Sequence, residues 1–95
     1  MKLTIILTPE AQADIREAVH WYENQEAGLG SRFKQETRKT LRVISEQAFA
    51  FPLVNSVVRR ALLRRYPYSV YFRVETEAVI VIAVLHQHRS PKSNQ

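Results

Sequence analysis

This chain of 95 residues divides into an earlier part with the apolar spacing of helices and a later part with that of strands. No other feature of the sequence restricts the possible folds as much. Between Thr8 and Ala48 apolar side chains recur at the spacing of an α-helix, whereas from Val57 onward they alternate as in a β-strand. Leu3–Leu7 is a further short run of β-forming residues. Helices gathered in one part of a chain and most strands in another are typical of an α+β domain.

The helical part divides into two amphipathic helices. Thr8 is a good N-cap, and Pro9 fits the first helical position because its missing N–H has no partner there. The apolar stripe of the first helix is Ala11, Ile15, Ala18, Val19 and Tyr22, and that of the second is Phe33, Leu41, Ile44 and Ala48. We expect helices over Pro9–Gln25 and Leu29–Gln47, joined near Gly28 into an antiparallel hairpin.

Three strands follow the helices. We expect them over Val57–Arg65, Tyr68–Glu75 and Ala78–Leu85, with a short turn at Glu75–Glu77. The order is then β-α-α-β-β-β, with the helical hairpin packed on one face of a small, largely antiparallel sheet. We expect residues 1–95 to form a single domain, ending in a polar tail at 92–95, because a chain of this size has one core.

The second face of this sheet, called the open face below, has no helix to cover it. The last strand is nevertheless apolar on both sides, where Val79, Val81 and Ala83 alternate with Ala78, Ile80, Ile82 and Val84. Tyr71 adds aromatic area on the open face. A bare patch of this kind is larger than monomers usually carry. We therefore expect a protein partner on the open face; partial cover by neighbouring arginine stems is the alternative.

The charge is distributed unevenly. Residues 1–56 carry seven basic and seven acidic side chains, so the whole net charge of +5 lies in residues 57–95. Six of the seven basic residues there are arginines, namely Arg59, Arg60, Arg64, Arg65, Arg73 and Arg89. Arginine suits carboxylate and phosphate groups, which predicts an acidic partner, either nucleic acid or an acidic protein segment. The alternative is that these arginines lie on ordinary solvated strand faces.

Composition excludes several classes of chemistry. The chain has no cysteine, which rules out disulfide frameworks, thiolate metal sites and cysteine nucleophiles. His86 and His88 lie on one side of an extended segment but lack the further ligands of a zinc site, so we expect no metal and no cofactor. The apolar run at Leu3–Leu7 is too short for a signal peptide or a membrane span, and we expect a cytoplasmic protein without membrane contact.

One set of residues has the composition of a ribonuclease site. Cleavage of a ribose–phosphate bond needs a base, an acid and cations that stabilise the phosphorane. The candidates for these roles are His86, His88, Arg89 and Arg60. The same residues serve equally well as a binding surface for an acidic partner, and we favour this interpretation. A plain nucleic-acid-binding module is a third interpretation.

Four motifs follow one another along the chain. They are the glycine-containing joint at 28–33, the Phe51-Pro52 pair, the arginine- and tyrosine-rich stretch at 59–74, and the Ala-Val-Leu-His-x-x-Arg run within 82–91. Together they resemble the RelE/ParE superfamily of toxins from bacterial type II toxin–antitoxin modules, over about residues 8–91. The resemblance implies the same β-α-α-β-β-β fold that the periodicity predicts.

The resemblance also implies a partner and a target. In this superfamily a small acidic antitoxin with a DNA-binding N-terminal half is encoded beside the toxin, wraps it and neutralises it. We expect the antitoxin along the arginine-bearing strand and the open face, at Arg59, Arg60, Leu62, Arg64, Arg65, Tyr71 and Arg73. Contacts with the target are expected at His86, His88 and Arg89.

The superfamily has two branches, of which the RelE-like one cleaves messenger RNA in the ribosome and the ParE-like one poisons DNA gyrase without being a nuclease. RelE-like members resemble one another in an arginine just before the Val-Tyr of the central strand and an aromatic or histidine residue in the tail. Ser69 and the tail at 92–95 depart from both features, although Arg60 and His88 fall near basic positions of the nuclease branch. We therefore expect a ParE-like gyrase inhibitor of a plasmid-stabilization module, not an enzyme. An mRNA endoribonuclease is the alternative, and direct nucleic-acid binding is secondary.

Overall fold

A computed structural model describes residues 2–89 and residue 91. The elements are β1 (Thr4–Leu7), α1 (Pro9–Gln25), α2 (Leu29–Gln47), a short 3-10 helix (Ala48–Ala50), β2 (Arg59–Leu62), β3 (Tyr68–Glu75) and β4 (Ala78–His86). The predicted order and the α+β class are confirmed, and both helices have the predicted bounds. The predicted polar tail at 92–95 lies outside the described residues. Within the described range, neither helix is long and apolar enough to cross a membrane.

The four strands form one sheet in the order β1-β4-β3-β2. β4 pairs antiparallel with β3 and parallel with β1, and β3 pairs antiparallel with β2, so the sheet is mixed and mostly antiparallel. β4 is a central strand, as its apolar sequence on both sides predicts. The first strand thus completes the sheet beside the last one, with Thr4 opposite Ala78 and Leu7 opposite Val81.

The helix hairpin begins and turns where the sequence predicts. The Thr8 hydroxyl accepts a hydrogen bond from the Ala11 amide at 3.1 Å, which makes Thr8 the N-cap of α1. At the joint, Gly28 has a φ of 91°, a left-handed conformation that glycine adopts without a Cβ clash. The Glu23 carboxylate accepts hydrogen bonds from the amides of Gly28 and Gly30, both at 3.0 Å, and so fastens the end of α1 to the start of α2.

The main core lies between the helix hairpin and one face of the sheet, called the covered face below. Its largest fully buried apolar side chains are Phe33, Phe72, Ile44, Val70, Val79, Val81 and Val84. Three tyrosine rings surround Phe33: the ring centroids of Tyr22 and Tyr66 lie 5.2 Å from it, and that of Tyr68 lies 5.1 Å from it. Close aromatic pairs of this kind stabilise the core beyond the effect of burial alone.

The prediction of which side chains of the last strand share a face is wrong beyond the middle of that strand. Tyr71 of β3 lies opposite Ala83 whereas the next residue, Phe72, lies opposite Val81, so Ile82 is an extra residue in β4. This β-bulge shifts the alternation of side chains by one position. Ala83 therefore turns to the open face, and the residue after it joins the main core.

β2 is shorter than the predicted strand over Val57–Arg65. The side-chain oxygen of Asn55 accepts hydrogen bonds from the amides of Val57 and Val58 at 2.9 and 2.8 Å, and this turn keeps the start of the segment out of the strand. At the other end Arg65 has a φ of 72°, which interrupts extended structure. The strand is therefore limited to four residues between the two turns.

Candidate functional site

The centre of the open face is covered by the chain itself. Val58 packs with Tyr71, Ala83 and Leu85 in a second, smaller cluster, and Tyr71 is only 4% exposed. The Tyr71 hydroxyl donates a hydrogen bond to the carbonyl oxygen of Arg89 at 3.3 Å, so the segment after β4 also lies against this cluster. The expectation of a bare apolar face is wrong at its centre, because Val58 and the Arg89 backbone occupy the space beside Tyr71.

Exposed apolar side chains lie instead along the β2 edge of the sheet. Five of them come from one stretch of chain and are called the apolar strip: Phe49, Leu53, Val54, Val57 and Leu62. Leu62 is 60% exposed and faces the open side, since its neighbours Ala61 and Leu63 belong to the main core. Five large exposed apolar side chains within one short stretch of chain favour a protein-binding surface here.

Basic residues accompany the apolar strip. Residues 47–74 contain five arginines and no aspartate or glutamate. Arg60 is exposed, lies opposite Tyr71 in the ladder and shares the open face with Leu62. Arg73 faces the same side, where its Nε donates a hydrogen bond to the Glu75 carboxylate at 2.8 Å. The structure thus brings together four of the predicted partner-binding residues, namely Arg60, Leu62, Tyr71 and Arg73.

The other three predicted arginines lie elsewhere. Arg59 is half-buried: its Nη1 donates a hydrogen bond to the Phe51 carbonyl at 2.7 Å, and its guanidinium carbon lies 5.1 Å from the centre of the Phe49 ring. Arg59 therefore supports the apolar strip from within the chain. Arg64 and Arg65 line a groove against α2, away from the open face.

A cleft of about 550 Å³ lies between α1, the start of β3 and the end of β4. α1 contributes Asp14, Glu17, Trp21 and Tyr22 to its walls, and the strand side contributes Tyr68, His86 and Arg89. Trp21 is 55% exposed and packs edge-on against Tyr22 with ring centroids 5.0 Å apart. Two of the three predicted target-binding residues, His86 and Arg89, thus share one cavity of the size that ligand-binding sites have.

The third predicted target-binding residue, His88, is exposed in the turn after β4. Its ring stacks on that of His86 with centroids 5.2 Å apart, and His86 in turn meets Tyr68 edge-on at 5.5 Å. The pair is therefore held by aromatic contacts. No group of three or more side chains suited to holding a metal occurs among residues 2–89 and 91.

Burial changes the acid–base behaviour of three groups in the cleft. The Asp14 carboxylate accepts a hydrogen bond from the Val84 amide at 3.0 Å, yet its pKa is raised above the ordinary value of 3.8 because burial removes water from it. Burial likewise raises the pKa of Tyr22 and the pKa of Tyr68. Shifted pKa values that converge on one cavity are a common feature of functional sites.

Of the four predicted ribonuclease residues, His86, His88 and Arg89 lie together and Arg60 lies apart from them. His86 lines the cleft on the helix side of the sheet, whereas Arg60 lies on the open face. A general acid or base must reach the same bond as the cation that stabilises the transition state. Arg60 is therefore too far round the sheet to act on a bond that His86 and Arg89 reach.

The residues of these sites that the sequence analysis missed include Asp14, Trp21 and Lys39. A signal was available for Trp21, because a tryptophan that stands outside an apolar helix stripe is exposed and unusual. Asp14 gave no such signal, since its hydrogen-bond partner Val84 is 70 positions away. Lys39 comes near Arg64 and Arg65 only through the packing of α2 beside the loop after β2.

Comparison with known proteins identifies one family and one shared fold. Residues 5–91 match the family model described as "ParE toxin of type II toxin-antitoxin system, parDE". No curated protein shows significant similarity to the chain. Among solved structures, a chain of the "Chromosomal ParDE TA system from P. aeruginosa" matches with a TM-score of 0.80 at 19% sequence identity, covering 90% of this chain and 96% of that one. At this identity the structural likeness shows a common fold.

Proposed function

The chain belongs to the ParE toxin family of type II toxin–antitoxin systems, and from that premise we propose that it inhibits growth by binding and poisoning DNA gyrase and is neutralised by a cognate antitoxin. The observation that carries the proposal is that the molecule has two separate surfaces with the composition of binding sites. One is the apolar strip beside Arg60, and the other is the cleft at Trp21. A toxin that meets both a neutralising partner and a target makes use of two such surfaces.

The antitoxin surface in this proposal is the open side of β2. Leu62 offers an exposed apolar side chain, and Arg60 beside it takes part in no salt bridge within the described part of the chain. An acidic segment that orders on binding would place apolar residues on the strip and carboxylates on the arginines. The lack of acidic residues between 47 and 74 removes the like charges that would oppose it.

The target surface in this proposal is the cleft. Trp21 is a large, exposed aromatic residue of the kind that dominates the energetics of protein interfaces. The cavity beside it can accept a side chain of the target, while His86 and Arg89 on the opposite wall offer polar contacts. None of these three residues belongs to the apolar strip, so variants of the two surfaces are separable.

Gyrase supercoiling in the presence of purified toxin tests the proposal. Relaxed plasmid, gyrase and ATP are incubated with increasing toxin, and we expect supercoiling to fall with dose. Trp21→Ala should weaken the inhibition by at least about tenfold, because truncation of an interface tryptophan commonly costs that much. Leu62→Asp, which alters the antitoxin surface, should leave inhibition unchanged. Added antitoxin should restore supercoiling with the wild-type toxin and fail to do so with Leu62→Asp.

Undiminished supercoiling at micromolar toxin would remove gyrase as the target. Primer extension on messages under translation then tests the mRNA endoribonuclease instead. Toxin-dependent cuts that disappear in His88→Ala or Arg89→Ala would assign that activity to the chain. Loss of inhibition with both Trp21→Ala and Leu62→Asp would show that target and antitoxin share one surface.

A further inference from the structure

A groove of about 330 Å³ lies between α2 and the loop that joins β2 to β3. α2 contributes Glu36, Lys39, Thr40 and Val43, and the loop contributes Arg64 and Arg65. The four helix residues stand at positions i, i+3, i+4 and i+7, so they share one face of α2 and form a continuous wall. The groove has no residue in common with the cleft or with the apolar strip.

The loop presents two consecutive arginines to the same groove. In an extended strand, neighbouring side chains point to opposite sides. Arg65 instead has a φ of 72°, which turns the chain so that Arg64 and Arg65 both line the groove. This left-handed conformation is costly for a residue other than glycine, and such strain tends to occur at functional sites. A hydrogen bond from the Leu63 amide to the Tyr68 carbonyl at 2.9 Å closes the loop, and the Tyr66 ring packs against the main core.

The groove carries an excess of positive charge. Lys39, Arg64 and Arg65 face a single carboxylate, that of Glu36, so three cations and one anion leave two positive charges uncompensated. Across residues 2–89 and 91, none of these three cations takes part in a salt bridge. The cations therefore remain available to an anionic ligand.

We propose that this groove binds the phosphate backbone of duplex DNA. Arginine and lysine side chains bind phosphate oxygens through charge-assisted hydrogen bonds, and this contribution does not depend on base sequence. An acidic peptide suits the groove less well, because only one of the lining residues, Val43, offers an apolar anchor. The proposal rests on the proposed function in one respect: the duplex would be the one that gyrase holds, so the toxin would touch the enzyme and its DNA together.

Fluorescence anisotropy with a labelled DNA duplex and the full-length toxin tests this proposal. The groove variant combines Arg64→Gln with Arg65→Gln, which removes two cations and keeps an unbranched side chain at the left-handed position. The matched control combines Arg16→Gln with Lys34→Gln, which removes the same charge from exposed helix positions outside the groove. Each phosphate contact contributes about 0.9 to the slope of log K against log salt concentration. We expect the groove variant to lower that slope by about 1.8 and to bind at least about tenfold more weakly at roughly 100 mM salt, with the control close to wild type.

Several results would overturn the proposal. Equal losses of duplex affinity in the groove and control variants would show that binding responds to net charge alone. Tighter binding of polyglutamate, or of an RNA of the same sequence, through the same arginines would assign the groove to another ligand. Should the groove variant lose its circular dichroism spectrum, Lys39→Gln, which leaves the loop intact, replaces it with an expected slope change of about 0.9.

Failure of the DNA-binding proposal can be told apart from failure of the gyrase proposal. A toxin that binds the duplex through Arg64 and Arg65 but leaves supercoiling unaffected would refute gyrase as the target and support the groove. A toxin that inhibits gyrase equally well with and without these two arginines, and does not bind the duplex, would refute the groove and support the proposed function.

Discussion

The two faces of the sheet differ in how much apolar surface they bury and in what buries it. The covered face packs a continuous core against two helices, and side chains such as Phe33 and Phe72 are fully buried there. The buried apolar residues of the open face are few, namely Val58, Tyr71, Ala83 and Leu85. Because burial of apolar area dominates folding stability, the core on the covered face supplies most of the free energy of folding. Under the proposed function the exposed rim of the open face binds a partner, so substitutions of its exposed side chains should change binding more than stability.

The largest effect should come from truncating the covered core. Phe33→Ala removes a ring that packs among three tyrosines, and we expect the free energy of unfolding in urea to fall by about 3–5 kcal/mol. Phe49→Ala is the matched control, since it makes the same truncation on the apolar strip, where Phe49 is 70% exposed. For Phe49→Ala the free energy of unfolding should fall by less than about 1 kcal/mol. Similar losses at both positions would contradict the difference between the buried core and the exposed strip.

A smaller effect should follow from crowding the helix hairpin that makes the covered face. A Cβ at position 30 would lie 2.5 Å from the Val19 carbonyl oxygen, so Gly30→Ala must push the two helices apart. We expect a loss of about 1–3 kcal/mol in the free energy of unfolding, measured by urea denaturation. Ser31→Ala, one position along on the exposed side of α2, should change it by less than about 0.5 kcal/mol. An unaltered free energy of unfolding for Gly30→Ala would contradict the close approach of the two helices at this position.

On the open side, binding should change without a matching change in stability. Leu62→Asp puts a negative charge among the arginines, and we expect the affinity for the antitoxin in calorimetric titration to fall at least tenfold, about 1.4 kcal/mol. The free energy of unfolding should change by less than about 0.5 kcal/mol. Ala27→Asp places the same charge at the exposed helix joint and should leave the affinity unaltered. An antitoxin that binds Leu62→Asp as tightly as wild type would exclude this surface.

The smallest effect concerns Asp14, which belongs to the cleft and yet ties α1 to β4. Its pKa is raised in the folded state, so above about 3.8 the folded protein holds this proton more tightly than the unfolded chain does, and stability falls as the pH rises through that window. Asp14→Asn keeps an acceptor for the Val84 amide and should remove this fall in a pH series of urea denaturations. Asp14→Ala loses the acceptor and should be about 1 kcal/mol less stable than Asp14→Asn. An unaltered pH profile in Asp14→Asn would show that the carboxylate is solvated.

The covered face could be predicted from the sequence because its signals are local. Thr8, Pro9 and Gly28 mark the ends of the helices through capping and backbone conformation, and the helical stripes then determine which side chains meet the sheet. The central position of β4 followed from the apolar residues on both of its sides. These features depend on neighbours within a few positions, and all of them are confirmed.

The open face and the sites around it depend on contacts that are distant in sequence. The extra residue Ile82 has no signature such as glycine, so the bulge and the position of Ala83 could not be foreseen. The four arginines at 59, 60, 64 and 65 look alike in the sequence but lie in three different places. Strand alternation separates Arg59 from Arg60, and the turn after β2 directs the last two into the groove. The cleft joins Trp21 to His86, and only the packing of α1 beside β4 brings the two together.

Because β1 pairs with β4, the sheet cannot be completed until the last strand has been synthesised. The first strand has its ladder partners at Ala78–Val81, and the strand wall of the cleft comes from residues later still. At about 5–20 residues per second, a ribosome needs several seconds to bring those residues out after the first strand emerges. An unfinished chain therefore has neither a complete sheet nor a complete cleft. Under the proposed function, an antitoxin made alongside has this interval to fold before the first complete toxin molecule is released.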